Sequence, residues 1–219
     1  MKLLLTSAGI TNPSIRAALL ELLGKPIDEC TALVNSTASW PLRQGTQLAW
    51  SYLAGQQPET PMAELGWKSV GILELTALPS VPRTVWLPWL EQADALLVNG
   101  GDTIYLDRWM RESGLADQLP SLPDKVWVGM SAGSMVMTPR IGARFVEWPA
   151  APDDRTLGVV DFSIFPHLNA FPQNTLADAE RWASEIGVPA YAIDEQSAIR
   201  VVEGAVEVVS EGMWTRFGS

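Results

Sequence analysis

The sequence predicts an α/β protein built on a mainly parallel sheet that is covered by helices on both faces. Short apolar runs alternate along the chain with longer segments in which apolar residues recur at helical spacing. This alternation is typical of βαβ units, which place parallel strands side by side. The 219 residues are 47% hydrophobic and 18% charged, which suits a single domain over 1–219 with a sizeable core.

The first five predicted strands are short apolar runs, at 3–6, 31–35, 69–75, 95–99 and 126–129. Helices are predicted in the intervals, where apolar residues recur every three or four positions, at 13–23, 43–53, 82–92 and 104–112. The first helix has clear boundary signals. Asn12 and Pro13 are favoured at a helix start, and Gly24 follows the last apolar position.

Beyond residue 130 the pattern is less regular. Residues 134–137 favour a helix, whereas the Pro-containing stretch 140–158 is predicted to form a loop over the functional site. In this loop Trp148 is expected to pack, with a place in a cleft wall as the alternative. The remaining predicted elements are an extended stretch at 159–165, a helix at 173–186, a strand at 190–193 and a hairpin at 197–209.

The segment Gly129-Met130-Ser131-Ala132-Gly133 fits the pattern G-x-S-x-G. It lies between a predicted strand and a helical run, which is the context in which this pattern indicates a nucleophile elbow. In such a turn the glycines let the backbone bend tightly, and the serine hydroxyl points out of the sheet. Ser131 is therefore a candidate nucleophile. The alternative is a strand-to-helix turn of small residues, and the motif alone leaves both open.

His167 is the only histidine of the sequence, so it is the only histidine that can serve Ser131 as a base. It follows an extended stretch and a proline, and open α/β folds place site residues at strand ends. Its second ring nitrogen needs an acceptor that fixes the tautomer. Spacing leaves this carboxylate open among Asp194 and Glu195, which follow a predicted strand, and Asp161, Glu147 and Asp153-Asp154.

Two short glycine-containing turns offer backbone amides for an oxyanion hole. Gly100-Gly101-Asp102 follows the fourth predicted strand, and adjacent glycines permit close backbone approach. N–H groups of this turn, together with that of Ala132, are suited to face a developing oxyanion. The other interpretation is a glycine-rich βα turn. The turn does not fit G-x-G-x-x-G, so no dinucleotide site is predicted.

Composition and charge argue against several classes of protein. A net charge of −10 without a Lys/Arg cluster argues against nucleic-acid binding. A single cysteine, Cys30, and a single histidine exclude an internal disulfide and a Cys- or His-rich metal site, so no metal or cofactor is expected. The N-terminal apolar run is too short for a secretory signal, and no run reaches a membrane span. We therefore expect a soluble cytoplasmic protein with no membrane partner.

Three blocks of the sequence follow one another in a characteristic order: Leu97-Val98-Asn99-Gly100-Gly101-Asp102-Thr103, Gly129-Met130-Ser131-Ala132-Gly133-Ser134 and Val160-Asp161-Phe162-Ser163-Ile164-Phe165-Pro166-His167. Together they resemble the peptidase E family, serine peptidases related to aspartyl dipeptidases and cyanophycinases. The resemblance covers nearly the whole chain. It implies a flavodoxin-like fold similar to the class I glutamine amidotransferase domain.

The resemblance also implies a Ser–His–acid triad. The positions that match the family's are the nucleophile Ser131, the base His167, the acid Glu195 with Asp194 in reserve, and the oxyanion-hole amides of Gly101 and Ala132. The implied activity is that of a serine exopeptidase that hydrolyses short peptides through an acyl-enzyme, without a cofactor. The oligomeric state stays open, with a homodimer as one option.

One departure from the family concerns specificity. Members specific for N-terminal aspartate carry an arginine after the histidine, whereas this chain reads Pro172-Gln173-Asn174-Thr175-Leu176 and has no basic residue there before Arg181. Strict aspartyl specificity is therefore not expected, and a carboxypeptidase-like preference is an alternative. Two further hypotheses are an esterase or amidase with the same triad, and a silent binding protein in which Ser131 and His167 lie more than about 4 Å apart.

Overall fold

A computed structural model of the chain describes residues 1–218, in which ten strands form two sheets. The strands, numbered in chain order, are β1 (Lys2–Thr6), β2 (Thr31–Asn35), β3 (Ser69–Ile72), β4 (Ala95–Val98), β5 (Val126–Met130), β6 (Ser163–Phe165), β7 (Ala190–Ile193), β8 (Ser197–Val202), β9 (Ala205–Ser210) and β10 (Trp214–Phe217). The larger sheet has the order β3-β2-β4-β5-β1-β8-β9, and the smaller has the order β10-β7-β6.

The same residues contain six α-helices: α1 (Pro13–Leu23), α2 (Gly45–Leu53), α3 (Arg83–Gln92), α4 (Thr103–Glu112), α5 (Ala132–Met135) and α6 (Leu176–Ile186). α1 begins as predicted, because the side chain of Asn12 accepts a hydrogen bond from the Ile15 N–H at 2.9 Å. α6 begins later than predicted, because Thr175 and Asp178 form a reciprocal capping box at its start. None of these helices in residues 1–218 has the length and apolar character that crossing a membrane requires.

Five neighbouring strands of the larger sheet are parallel. β1 pairs with β5, β5 with β4, β4 with β2, and β2 with β3. The hairpin β8–β9, predicted from the sequence, joins antiparallel beside β1. The predicted mainly parallel sheet is thus confirmed, and the carboxyl ends of its parallel strands lie at one edge, where open α/β folds bind ligands.

Successive side chains of the central strands point to opposite faces of the sheet, and each face buries its own apolar cluster. One cluster packs α3 and α4 against side chains that include Leu5 of β1 and Val98 of β4. The other packs α1 and α2 against Leu4 and Leu97 of the same two strands. Helices therefore cover both faces, as the sequence predicts.

The smaller sheet is not predicted by the sequence. β6 pairs in parallel with β7, and β10 pairs antiparallel with β7, so the predicted strand at 190–193 does not join the larger sheet. β6 is also shorter than the predicted stretch 159–165, because the N–H groups of Val159 and Val160 both donate to the carbonyl of Met137. α6 packs on this sheet through Trp182, which contacts Phe165 of β6 edge-on.

Residues 140–158 are largely irregular, as predicted, but the prediction that they form a loop over the functional site is wrong. Asp154 is ion-paired with Arg140 at 2.9 Å, which closes the segment on itself. The ring of Trp148 packs edge-on against Tyr105 of α4, with ring centroids 5.5 Å apart. The segment therefore lies against α4, and none of its residues lines the cleft that contains Ser131.

Candidate active site

Ser131 follows β5 directly and has a φ of 51°, a left-handed conformation that non-glycine residues rarely adopt. Both flanking glycines are required by space. A Cβ on Gly129 would collide with the carbonyl of Gly133, and a Cβ on Gly133 would collide with the carbonyl of Val98 in β4. The turn thus packs backbone against backbone, and the Ser131 N–H donates to the Thr6 carbonyl at 3.0 Å. Strain of this kind is typical of functional turns.

His167 lies just beyond the end of β6, and its Nε2 is 2.9 Å from the Oγ of Ser131. Its φ of 60° is also left-handed, and its backbone N–H donates to the Oγ of Ser7 at 2.6 Å. The imidazole is 24% exposed, and the ring of Phe171 packs edge-on against it at 5.6 Å between centroids. His167 is therefore held from its backbone and from one ring edge.

Glu195 completes the series of contacts, because its Oε1 lies 2.8 Å from Nδ1 of His167. With Nδ1–H donating to this carboxylate, Nε2 is left as the acceptor for the Ser131 hydroxyl, which is the tautomer that the hydrogen-bond network assigns. The second carboxylate oxygen, Oε2, is buried and has no hydrogen-bond partner within residues 1–218. Ser131, His167 and Glu195 thus form a continuous hydrogen-bonded series.

The carboxylate of Asp194 is used elsewhere. Its Oδ1 accepts hydrogen bonds from Gln196 N at 3.0 Å and Ser197 Oγ at 2.6 Å, and its Oδ2 accepts one from Met213 N at 2.6 Å. Asp194 thereby closes the turn that carries Glu195 and ties it to the segment before β10. Of the other carboxylates considered from the sequence, none lines the cleft: Glu147, Asp153, Asp154 and Asp161.

Three residues whose role at the site the sequence analysis missed hold this turn to the segment after β1. The Oγ of Ser7 lies 3.4 Å from the carbonyl of Ile193, Thr11 Oγ1 donates to the Glu195 carbonyl at 2.6 Å, and Asn12 Nδ2 donates to the Gln196 carbonyl at 2.9 Å. Their position after the first predicted strand was the available signal, since site residues collect at the ends of strands. Their hydrogen-bond partners lie almost two hundred residues away in the chain, and no pattern in the sequence indicates these pairs.

The turn after β4 approaches Ser131 from the other side. A Cβ on Gly100 would lie 3.3 Å from the Ser131 Cβ, and a Cβ on Gly101 would collide with the carbonyl of Ala38. Within residues 1–218 the N–H groups of Gly101 and Ala132 donate no hydrogen bond to another protein group. Gly101 lines the cleft, whereas Ala132 is buried behind Ser131. Two unpaired amides, one in the residue after Ser131 and one in the neighbouring turn, are suited to receive an oxyanion.

Asp102 follows these glycines and caps α4 by accepting a hydrogen bond from the Tyr105 N–H at 2.8 Å. Burial raises the pKa of its carboxyl group, and hydrogen bonds from the backbone amides of Tyr105, Ile104 and Trp148 oppose that rise. Asp102 therefore fixes the direction of the helix after the turn. It does not line the cleft.

The cleft above these side chains has a volume of about 820 Å³. Its floor is formed by the strand-end residues already described. Its walls come from α2 and the residues just before it, the segment before β3 and the segment after His167. The wall residues include Leu42, Leu48, Pro58, Pro61 and Phe171. Within residues 1–218, no group of three or more His, Cys, Asp or Glu side chains is arranged to hold a metal ion.

Comparison with known proteins gives a family consistent with this geometry. The model of peptidase family S51 matches residues 60–209, more than half of the chain. The chain belongs to peptidase family S51. This family consists of serine-type peptidases, a class of hydrolases, and the resemblance to peptidase E seen in the sequence is confirmed.

Individual proteins similar to this S51 chain are also described as peptidases. An uncharacterized peptidase of Pasteurella multocida is 28% identical over 121 residues, which are 51% of this chain and 58% of the relative. A putative peptidase E of Listeria monocytogenes matches with a TM-score of 0.69 at 19% identity, over 96% of this chain and 98% of the other. A peptidase from an acI-B1 actinobacterium gives 0.70 at 18% identity, over 97% and 88%. At these identities the two structures show a shared fold.

Proposed function

We propose that this S51 chain is a serine exopeptidase that hydrolyses short peptides through an acyl-enzyme. The observation that supports it most strongly is the hydrogen-bonded series from Ser131 Oγ through His167 to Glu195 at the floor of the cleft. A silent binding protein was expected to have more than about 4 Å between Ser131 and His167, whereas Ser131 Oγ and His167 Nε2 are 2.9 Å apart.

In the proposed reaction Nε2 of His167 takes the proton of Ser131 as Oγ attacks the scissile carbonyl carbon. The carbonyl oxygen becomes an oxyanion that accepts hydrogen bonds from the amides of Gly101 and Ala132. Glu195 stabilises the imidazolium and does not itself take the proton. One oxyanion-hole donor is worth roughly 10²–10³ in kcat, so this electrostatic contribution is large.

The tetrahedral intermediate then collapses. The C–N bond breaks, and the His167 imidazolium gives its proton to the leaving amine, which departs with a new amino terminus. Water next attacks the carbonyl carbon of the ester while His167 takes a proton from the water. The bond between that carbon and Ser131 Oγ then breaks, His167 returns the proton to Oγ, and the carboxylic acid product leaves. Every proton moves through the one histidine, so no metal or cofactor is needed in the proposed steps.

The size of the cleft supports short substrates. Its volume of about 820 Å³ lies in the range of roughly 300–1,000 Å³ that is typical of small-ligand sites. The lining is mainly apolar. Its polar groups lie at the strand ends, where the scissile bond would lie, and in the wall segment 57–60. A short peptide fits such a pocket better than an extended protein segment.

The test is hydrolysis of a mixed peptide panel followed by mass spectrometry, with wild type, Ser131→Ala and His167→Ala. The panel contains Asp-Xaa dipeptides, N-terminally blocked peptides and peptides with a free C-terminus, so the trimmed end is read directly. Each variant is expected to lose at least roughly 10⁴-fold in kcat with unchanged folding by circular dichroism. Cleavage of the peptides that does not depend on Ser131 would reject the peptidase proposal. So would cleavage of ester substrates, assayed beside the panel, with no cleavage of any peptide.

A further inference from the structure

Apart from His167, the ionisable side chains that line the cleft within residues 1–218 are all acidic. They are Glu59 and Glu195, and neither lysine nor arginine is among the lining residues. Glu195 is occupied by its contact with His167. A group bound in this cleft therefore meets one uncommitted charge, the carboxylate of Glu59, and no cation.

Two arginines close to the segment after His167 bind other partners. Arg144 donates to the carbonyl of Gln173 and, at 2.9 Å, to Asn174 Oδ1, and Arg181 lies 3.6 Å from the carboxylate of Asp178. Neither arginine lines the cleft. The substrate carboxylate that an arginine would bind thus has no partner of opposite charge here.

Glu59 lies on a braced part of the cleft wall. The Thr60 N–H donates to the Gln57 carbonyl at 2.9 Å, and the Pro61 carbonyl accepts from the Ile10 N–H at 2.9 Å, so the backbone around Glu59 is fixed to the end of β1. Within residues 1–218 the Glu59 side chain makes no ion pair and no hydrogen bond, and it is exposed. Its charge is free to act on a bound molecule.

We propose that Glu59 is a specificity-determining residue, through which the cleft selects peptides that carry a cationic group, either an α-ammonium or a lysine or arginine side chain. This inference rests on the proposed peptidase function. A carboxylate in a cleft with apolar walls attracts a cation more strongly than one on an open surface. An anionic substrate group would meet the carboxylate of Glu59 and no lysine or arginine in the lining, so acidic peptides are disfavoured.

The experiment compares kcat/KM for peptides that differ at a single residue, which is Lys, Gln or Glu, each with a free or an acetylated N-terminus. For wild type at low salt, kcat/KM is expected to be about threefold to tenfold higher for the Lys peptide than for the Glu peptide, with the Gln peptide between them. Glu59→Gln removes most of this difference, and Glu59→Lys inverts it. Glu91→Gln, a change at an exposed glutamate outside the cleft, leaves it unaltered. Comparison with the acetylated peptides shows whether Glu59 binds the α-ammonium group or the cationic side chain.

Binding of the same peptides to Ser131→Ala, with and without Glu59→Gln, separates this inference from the peptidase proposal. A Lys preference in binding that Glu59→Gln abolishes supports the inference even if no peptide is cleaved. Equal affinity for the Lys and Glu peptides, or a preference that survives Glu59→Gln, overturns it. Cleavage of all peptides at equal rates overturns the inference while leaving the peptidase proposal standing.

Discussion

The two halves of the candidate site are held by different means. On the nucleophile side, Ser131 sits at the end of β5 in the larger sheet, where Gly129 and Gly133 let backbone pack directly on backbone. On the base side, His167 and Glu195 follow strands of the smaller sheet. Their positions are fixed by hydrogen bonds of three side chains: Ser7 accepts from the His167 N–H, Thr11 donates to the Glu195 carbonyl, and Asp194 accepts from the Gln196 N–H. Packing fixes one half and individual hydrogen bonds fix the other, so the halves should respond differently to substitution.

The largest contrast is expected between two adjacent carboxylates on the base side. Glu195→Gln keeps the shape of the side chain but removes the charge that stabilises the His167 imidazolium in the proposed mechanism, so kcat should fall roughly 10²–10⁴-fold. Asp194→Asn removes a positioning charge only, so its loss should be about tenfold. Stopped-flow and steady-state kinetics of both variants measure the difference. A larger loss in Asp194→Asn would exchange the two roles.

Gly133→Ala tests the nucleophile side. The added Cβ would collide with the Val98 carbonyl of β4, a backbone atom that cannot move without disturbing the sheet. We expect the free energy of unfolding to fall by about 3 kcal/mol, the upper part of the usual range for overpacking, and the activity to fall with it. Urea denaturation and kcat/KM measure the two effects.

Gly114→Ala is the matched control. Gly114 has a φ of 77° and nothing within 4 Å of an added Cβ, so the change introduces backbone strain without a collision. The expected loss of stability is about 1–2 kcal/mol, and catalysis should be unchanged. If both variants lost equal stability and kept equal activity, close packing could not be what positions Ser131.

Ser7→Ala tests the base side through one hydrogen bond. Its Oγ accepts from the His167 N–H at 2.6 Å, and without it that amide of a left-handed residue loses its partner. Stability should fall by about 1–2 kcal/mol, while kcat falls roughly tenfold with a smaller change in KM because His167 shifts relative to Ser131. Ser80→Ala, at an exposed serine far from the cleft, is the control. An unchanged kcat would show that Ser7 is only structural.

The sequence predicted the nucleophile side better than the base side, for a physical reason. Strand β5 and the glycines around Ser131 are contiguous in sequence, so a local pattern is enough to predict the turn. The base side depends on pairs far apart in sequence, such as Thr11 with the Glu195 carbonyl. Contacts of that separation leave no periodic signal in a single sequence.

The same reasoning explains the errors of fold. β10 consists of only four residues, Trp214–Phe217, and becomes a strand by pairing with β7. The stretch 140–158 was assigned to the site by its position in the chain, whereas the Asp154–Arg140 ion pair and the packing of Trp148 on Tyr105 direct it to α4. Adjacent residues such as Asp194 and Glu195 also cannot be separated by spacing, because only the turn decides which carboxylate faces the histidine.

The comparison extends to two carboxyl groups whose pKa values shift in opposite directions. On the nucleophile side, burial raises the pKa of Asp102. On the base side, hydrogen bonds from the side chain and the backbone of Thr175 lower the pKa of Asp178 at the start of α6. A raised folded pKa means that ionisation costs stability as pH rises, and a lowered one means that ionisation adds stability as pH rises.

The stability of Asp102→Asn relative to wild type should therefore increase between pH 3 and 7, while that of Asp178→Asn should decrease over the same interval. Both asparagines keep an oxygen that can cap the helix, so the charge is what changes. Chemical denaturation at several pH values measures each trend, which we expect to be the smallest of these effects. A decrease for Asp102→Asn would mean that the amides at the start of α4 outweigh burial, and that the nucleophile side, too, depends on hydrogen bonds.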